Sequence, residues 1–103
     1  MRLVAWNIRA GGGRRVSAIV AQLADWLPDV VALSEFRATP PSAWLAGTIC
    51  DLGLAFQRSS VSHALPAVNG LLVASRWPLA DARLPGLQPE SARWLPVAVE
   101  APS

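Results

Sequence analysis

The stretch LVAWNIRAGGGRRVSAIVAQLADWLPDVVALSE, residues 3–35, decides the fold. The apolar run at 3–8 predicts a buried strand, which ends before a run of glycines. From 16 to 27 the apolar residues recur at the spacing of an amphipathic helix. A second apolar run at 30–34 predicts another buried strand. Strand, helix and strand within about 30 residues predict a right-handed βαβ unit whose strands are parallel.

The residues after this unit predict an α/β (α+β) fold in which mixed or antiparallel strands follow the βαβ start. The expected elements are a helix at 43–51, strands at 54–58 and 70–75, a surface loop at 59–69, a turn-rich segment at 81–91 and a fifth strand at 92–100. His63 is the single histidine and lies in the loop with no carboxylate beside it. A Ser/His/Asp site or a histidine metal site therefore has no local support.

The composition predicts one domain with an unusually apolar surface. The chain has 103 residues, of which 52% are hydrophobic and 16% charged, and this excludes intrinsic disorder. So few charges favour part of a larger domain, whose missing half would cover apolar surface. The net charge of +2 is mild, all basic residues are Arg, and no basic run indicates nucleic acid. No apolar run is long enough for a membrane span and no signal peptide is recognisable, so a cytoplasmic protein is expected.

Two polar residues, Asn7 and Glu35, follow the apolar runs of the predicted parallel strands. The carboxyl ends of parallel strands meet at one edge of a sheet, where ligands bind in open α/β folds, so we expect the two to be neighbours. Glu35 is either a solvated strand end paired with Arg37 or a ligand of Mg²⁺, which takes oxygen ligands. Asn7 is either a turn former or a group that orients a metal-bound water, a phosphate oxygen or the Glu35 carboxylate.

The glycines at 11–13 leave a Rossmann-type nucleotide-binding module as an alternative. The run has the first two glycines of the dinucleotide fingerprint but Val16 in place of the third, and Glu35 follows about 20 residues later. Four residues separate the strand from the glycines, which argues against that fingerprint. The chain has no Lys, which excludes a Walker A loop.

Three motifs together resemble the endonuclease/exonuclease/phosphatase superfamily. They are WNIR at 6–9, LSEF at 33–36 and NGLLVASRWPL at 69–79. The resemblance implies part of a four-layer αββα sandwich and a metal-dependent phosphoesterase, with Mg²⁺ as the cofactor and Mn²⁺ as an alternative ion. It assigns Asn7 and Glu35 as catalytic and metal-binding residues. Position 34 is Ser where the family usually has Gln.

The remaining site residues of that superfamily are a histidine, an Asp-x-Asn pair and a C-terminal Asp-His pair, which in the family come later in the sequence than these three motifs. We therefore expect residues 1–103 to be the N-terminal part of one such domain, apparently truncated. The isolated chain is then expected to be inactive. A non-catalytic remnant of the family is a further alternative.

The implied substrate is a phosphodiester or phosphomonoester, with nucleic acid among the candidates. Arg9, Arg37 and Arg76 are candidate substrate-binding residues, because they are expected near the same strand ends and arginine pairs with phosphate oxygens. The sheet face that would meet the missing half is expected to be apolar and to carry residues such as Leu72 and Val97. Exposed apolar area of that kind drives self-association.

Overall fold

The computed structural model describes residues 1–82 and 93–102 of the chain. Its elements are β1 (Leu3–Asn7), a 3₁₀ turn (Gly13–Arg15), α1 (Val16–Trp26), β2 (Val30–Phe36), α2 (Pro40–Asp51), β3 (Phe56–Ser59), β4 (Gly70–Ser75), β5 (Leu79–Asp81) and β6 (Val97–Val99). The mixed α/β class predicted from the sequence is confirmed. No helix in the described ranges has both the length and the apolarity needed to cross a membrane.

The main sheet has four strands in the order β1-β2-β4-β3. Strands β1 and β2 are parallel with Asn7 opposite Ser34, which confirms the predicted βαβ unit. Strand β4 runs antiparallel to both of its neighbours. Strands β5 and β6 form a small antiparallel sheet of their own. The antiparallel strand beside β2 excludes a doubly wound parallel sheet, so the Rossmann-type alternative is wrong.

Both helices contribute buried side chains to the core on one face of the main sheet. Leu23 of α1 and Leu45 of α2 are buried there together with Leu33 of β2. Leu72 of β4 is 3% exposed and belongs to the same core. The expectation that Leu72 lies on an uncovered face is therefore wrong: because side chains alternate along a strand, it is the adjacent positions of β4 that point to the other face.

The second face of the main sheet is only partly covered. Leu3 of β1 is 62% exposed, and Phe56 of β3 is 43% exposed. Both belong to the cross-strand row that runs through Val30 and Ser75. The molecule measures 37 × 37 × 17 Å, and its thin dimension corresponds to one sheet layer and one helix layer.

Three element boundaries differ from the sequence-based expectation. Helix α2 begins at Pro40, ahead of the expected residue 43, because proline suits the first positions of a helix. Strand β3 begins at Phe56 and not at the expected residue 54. Leu54 is buried, and its N–H donates to the carbonyl of Ile49 near the end of α2, so it does not pair in the sheet. Strand β5 was not expected from the sequence, and it ends at Asp81, the first residue of the expected turn-rich segment.

The fifth predicted strand, at 92–100, is shorter in the structure. Strand β6 covers only Val97–Val99 of it. Residues 83–92, which hold most of the expected turn-rich segment and the start of that strand, lie outside the described residues.

Candidate active site

Asn7 and Glu35 meet at the carboxyl edge of strands β1 and β2. Asn7 is the last residue of β1 and pairs with Ser34, the residue before Glu35. The Asn7 side chain lies close enough to the Glu35 carboxylate to lower its pKa, and its Oδ1 accepts a hydrogen bond of 2.9 Å from the N–H of Arg9. The expected juxtaposition of the two residues is confirmed.

A β-bulge aims the Glu35 side chain. The pairing of β2 with β4 shifts between Ser34 and Phe36, so Glu35 has no partner in the ladder. Its φ of 57° lies in the left-handed region, which costs a non-glycine residue about 1 kcal/mol. Strained backbone of this kind persists only where surrounding contacts hold it, and it concentrates at functional sites.

The loop after β1 supplies those contacts. Its residues Arg9, Ala10, Gly11, Gly12 and Gly13 all have positive φ. The Ala10 N–H donates to Glu35 Oε1 at 3.1 Å, and the Gly11 N–H donates to the Glu35 carbonyl at 2.7 Å. The loop thus holds Glu35 through Ala10 and Gly11, a role that the resemblance of its glycine run to a phosphate loop does not indicate.

Ser42 locks this loop against the chain that follows Glu35. Its side chain is completely buried in the first turn of α2. The hydroxyl donates to the Gly11 carbonyl at 2.8 Å and accepts from the Arg37 N–H at 3.2 Å. Gly11 allows this close approach, since a Cβ there would lie 3.1 Å from the Ser42 hydroxyl oxygen. The sequence contains no pattern that marks Ser42 as part of the site.

The surroundings of Glu35 favour its ionised form. The backbone N–H of Ala10 contributes most to lowering its pKa, followed by the polar side chain of Asn7. Partial desolvation opposes them, and the positive charges of Arg37 and Arg9 lower the pKa further. Glu35 is thus a carboxylate at neutral pH.

Asn69 is a residue of this site that the sequence analysis did not select. Its side-chain NH₂ donates to Glu35 Oε1 at a long 3.4 Å, and its Oδ1 accepts from Arg37 Nε at 2.7 Å. Asn69 begins the motif at 69–79 and directly precedes β4. Because β4 is antiparallel to β2, its start lies at the same edge as the end of β2. The motif was therefore a signal that could have found this residue.

The three candidate arginines separate into two groups. Arg9 and Arg37 lie at the edge that holds Glu35. Arg76 follows β4 at the opposite end of the sheet, where its Nε is 3.5 Å from Asp29 Oδ1. The expectation that Arg76 lies near the same strand ends is wrong, because β4 runs antiparallel to β2.

Two clefts flank this edge. One, of about 450 Å³, lies between β1 and α1 and includes Asn7, Arg9 and Trp6 in its lining. The other, of about 430 Å³, lies between α2 and β3 and includes Arg37 and His63 in its lining. Residues next to Glu35 at this edge, Asn7 and Arg37, thus line one cleft each.

The donor set at this edge fits a hard cation that needs further ligands. Within residues 1–82 and 93–102 no three His, Cys, Asp or Glu side chains group as a metal cluster would. Glu35 supplies one ionised carboxylate, whose Oε1 is already hydrogen-bonded. Mg²⁺ is commonly held by one or two carboxylates, with phosphate oxygens and waters completing its shell. One carboxylate is consistent with that arrangement.

Comparisons with known proteins agree with this geometry. A model of the Endonuclease/Exonuclease/phosphatase family matches residues 4–102. The chain is also similar to the crystal structure of an endonuclease/exonuclease/phosphatase from Beutenbergia cavernae DSM 12333, with 25% sequence identity and a TM-score of 0.60. The match covers 80% of this chain and 27% of that one, so this chain spans a minor part of the relative's length. A search of curated proteins finds no match.

Proteins of the matched family are typically hydrolases that act on phosphate esters and generally use a divalent metal ion. The family model extends over nearly all of the present chain, including the Asn7–Glu35 edge and the strand that begins after Asn69. The chain therefore belongs to the endonuclease/exonuclease/phosphatase family.

Proposed function

We propose that this chain carries the Asn and Glu part of the active site of a Mg²⁺-dependent phosphoesterase. The observation that supports it best is the Glu35 carboxylate, which projects from a bulge, accepts a hydrogen bond from the Ala10 N–H and has the Asn7 side chain beside it. A strained, hydrogen-bonded carboxylate whose neighbours line two clefts is better explained as a ligand than as a solvated strand end. Mn²⁺ is an alternative ion for the same oxygen ligands.

Each residue at the edge has a distinct proposed role. Glu35 holds the cation, which when bound neutralises negative charge on the phosphoryl group. Asn7, which pairs with the residue before Glu35, orients the carboxylate with its polar side chain. Arg9 and Arg37 are positioned to donate to phosphate oxygens, for which the guanidinium geometry is suited.

The proposed substrate is a phosphodiester or phosphomonoester, with nucleic acid among the candidates. The clefts beside Arg9 and Arg37 have room for the group that carries the phosphate. The matched family acts on phosphate esters. The substrate class therefore follows from the family alone.

We further propose that turnover requires residues beyond those described here. His63 is exposed, and its cleft is separated from the one beside Asn7. In the described ranges no acidic side chain orients this histidine as a general base requires. The chain spans 27% of its structural relative, which supports completion of the site by further residues, in the same chain or an associated one. The exposed Leu3 and Phe56 on the second sheet face support such association.

Cation binding by the 103-residue chain tests the proposal directly. Mn²⁺ titrated into ¹⁵N-labelled protein should broaden the amide signals of Ala10 and Gly11 first, with a dissociation constant of about 1 mM or weaker for Mg²⁺ in competition. Glu35→Gln should abolish this localised broadening, whereas Glu100→Gln, at an exposed position, should leave it unchanged. Equal broadening in the wild type and in Glu35→Gln would refute the proposed metal site.

A further inference from the structure

The backbone before β4 is held so that Asn69 faces the bulge at Glu35. Gly70 pairs with Phe36, the residue after the bulge. A Cβ on Gly70 would lie 2.7 Å from a side-chain carbon of Val61, so only glycine allows this close packing. Leu71 exchanges hydrogen bonds with Ser60, which ties the loop to the start of β4. The position of Asn69 is thus set by the contacts of Gly70 and Leu71 with β2 on one side and with the loop at 60–61 on the other.

The Asn69 side chain connects a cation to an anion. Arg37 Nε donates to Asn69 Oδ1 at 2.7 Å, and Asn69 Nδ2 donates to Glu35 Oε1 at 3.4 Å. A guanidinium only donates hydrogen bonds and a carboxylate only accepts them, whereas a neutral amide does both. Asparagine is therefore suited to stand between the two groups.

Arg37 and Glu35 are two residues apart in the chain, and the charge of Arg37 acts on Glu35. Arginine and a carboxylate within reach form a direct, often bidentate, ion pair. The ion pairs among the described residues include Arg58–Asp81 and Arg76–Asp29, whereas none joins Arg37 directly to Glu35 in that part of the chain. The amide of Asn69 occupies the place on Arg37 Nε that a carboxylate oxygen would otherwise take.

We propose that Asn69 is a positioning residue that separates Arg37 from Glu35. It leaves the carboxylate available to a cation and the guanidinium available to a phosphate oxygen. Without Asn69 the two side chains form an ion pair. Arg37 then competes with the cation for Glu35, and Glu35 competes with the phosphate oxygen for Arg37. This inference rests on the proposed function, since it concerns the same site.

A double-mutant cycle on Mn²⁺ affinity tests this role. Asn69→Ala should weaken binding roughly twofold to fivefold, the range that an exposed ion pair supports. Arg37→Gln alone should not weaken binding, because it removes the competing cation. The double variant Asn69→Ala/Arg37→Gln should bind as tightly as Arg37→Gln. Val68→Ala, a neighbouring exposed position, serves as the control for changes in the loop and should match the wild type.

The cycle separates positioning from simple support of the loop. If Asn69 only supported the loop, its loss would weaken binding equally in the Arg37→Gln background, and this result would overturn the proposal. Unchanged affinity in Asn69→Ala would overturn it as well.

A second measurement does not depend on the metal. In a crystal structure of the Asn69→Ala variant, the Arg37 guanidinium should lie about 2.7–2.9 Å from the Glu35 carboxylate. A guanidinium that remains apart from Glu35 overturns the inference. If the wild type bound no Mn²⁺ but the ion pair formed in the variant, the proposed function would fail while the separating role of Asn69 stood.

Discussion

Ser42→Ala should destabilise the protein more than its single hydroxyl suggests. The substitution leaves the Gly11 carbonyl and the Arg37 N–H without the partner that each has now, at 2.8 and 3.2 Å. Ser42 is 0% exposed, so water has no access to replace the hydroxyl without opening the loop. A buried group that loses its hydrogen bond costs about 1–3 kcal/mol, and the longer bond to Arg37 contributes less. We expect a loss of about 2 kcal/mol in the free energy of unfolding.

Urea denaturation of the wild type and two variants measures this difference. Thr48→Ala is the matched control, because Thr48 is a second hydroxyl residue of α2 and donates to the Trp44 carbonyl within the helix. That bond duplicates what the helix backbone already provides, so its loss should change stability by about 0.5 kcal/mol or less. Because Ala also has a higher helix propensity than Thr, any loss of stability in Thr48→Ala is reduced further.

Hydrogen exchange locates the effect of Ser42→Ala within the molecule. The Gly11 N–H, which donates to the Glu35 carbonyl, should exchange faster in the variant by more than the global loss of stability explains. Equal unfolding free energies for Ser42→Ala and Thr48→Ala, with uniform exchange rates, would refute the reasoning. They would mean that the loop does not depend on this hydroxyl.

Three further predictions concern the glycines and the charge of the site. Gly12→Ala should cost more stability than Gly13→Ala in the same urea assay, because a Cβ at Gly12 would lie 2.7 Å from a Val16 methyl, whereas nothing lies within 4 Å of a Cβ at Gly13. Both substitutions also cost about 1 kcal/mol because the backbone φ is positive. Equal losses of stability would contradict the clash at Gly12. Gly47→Ala, in α2 with open space for a Cβ, should stabilise the protein by about 0.5–1 kcal/mol, and a loss would contradict the open space. The folded-state pKa of Glu35 is lowered from 4.5, so its contribution to stability is present above pH 4.5 and is lost as the pH falls through the folded-state pKa. Glu35→Gln should remove this pH dependence from the denaturation midpoint. An unchanged pH dependence would contradict the lowered pKa of Glu35.

The amino-acid sequence was sufficient to predict the βαβ unit and the meeting of Asn7 with Glu35. Both depend on local information, since apolar periodicity distinguishes strand from helix and the connection rule makes the strands parallel. Two residues at the ends of neighbouring parallel strands must then share an edge. The sequence motifs also sufficed to identify the family.

The tertiary structure decided which other residues reach that edge. The direction and order of β4 result from long-range pairing, which the local pattern of residues does not encode. Because β4 is antiparallel to β2, Asn69 at its start reaches Glu35, whereas Arg76 after its end lies at the far side of the sheet. Likewise, only the folded chain brings the buried Ser42 hydroxyl to Gly11, since these residues are distant in sequence and meet through the packing of α2.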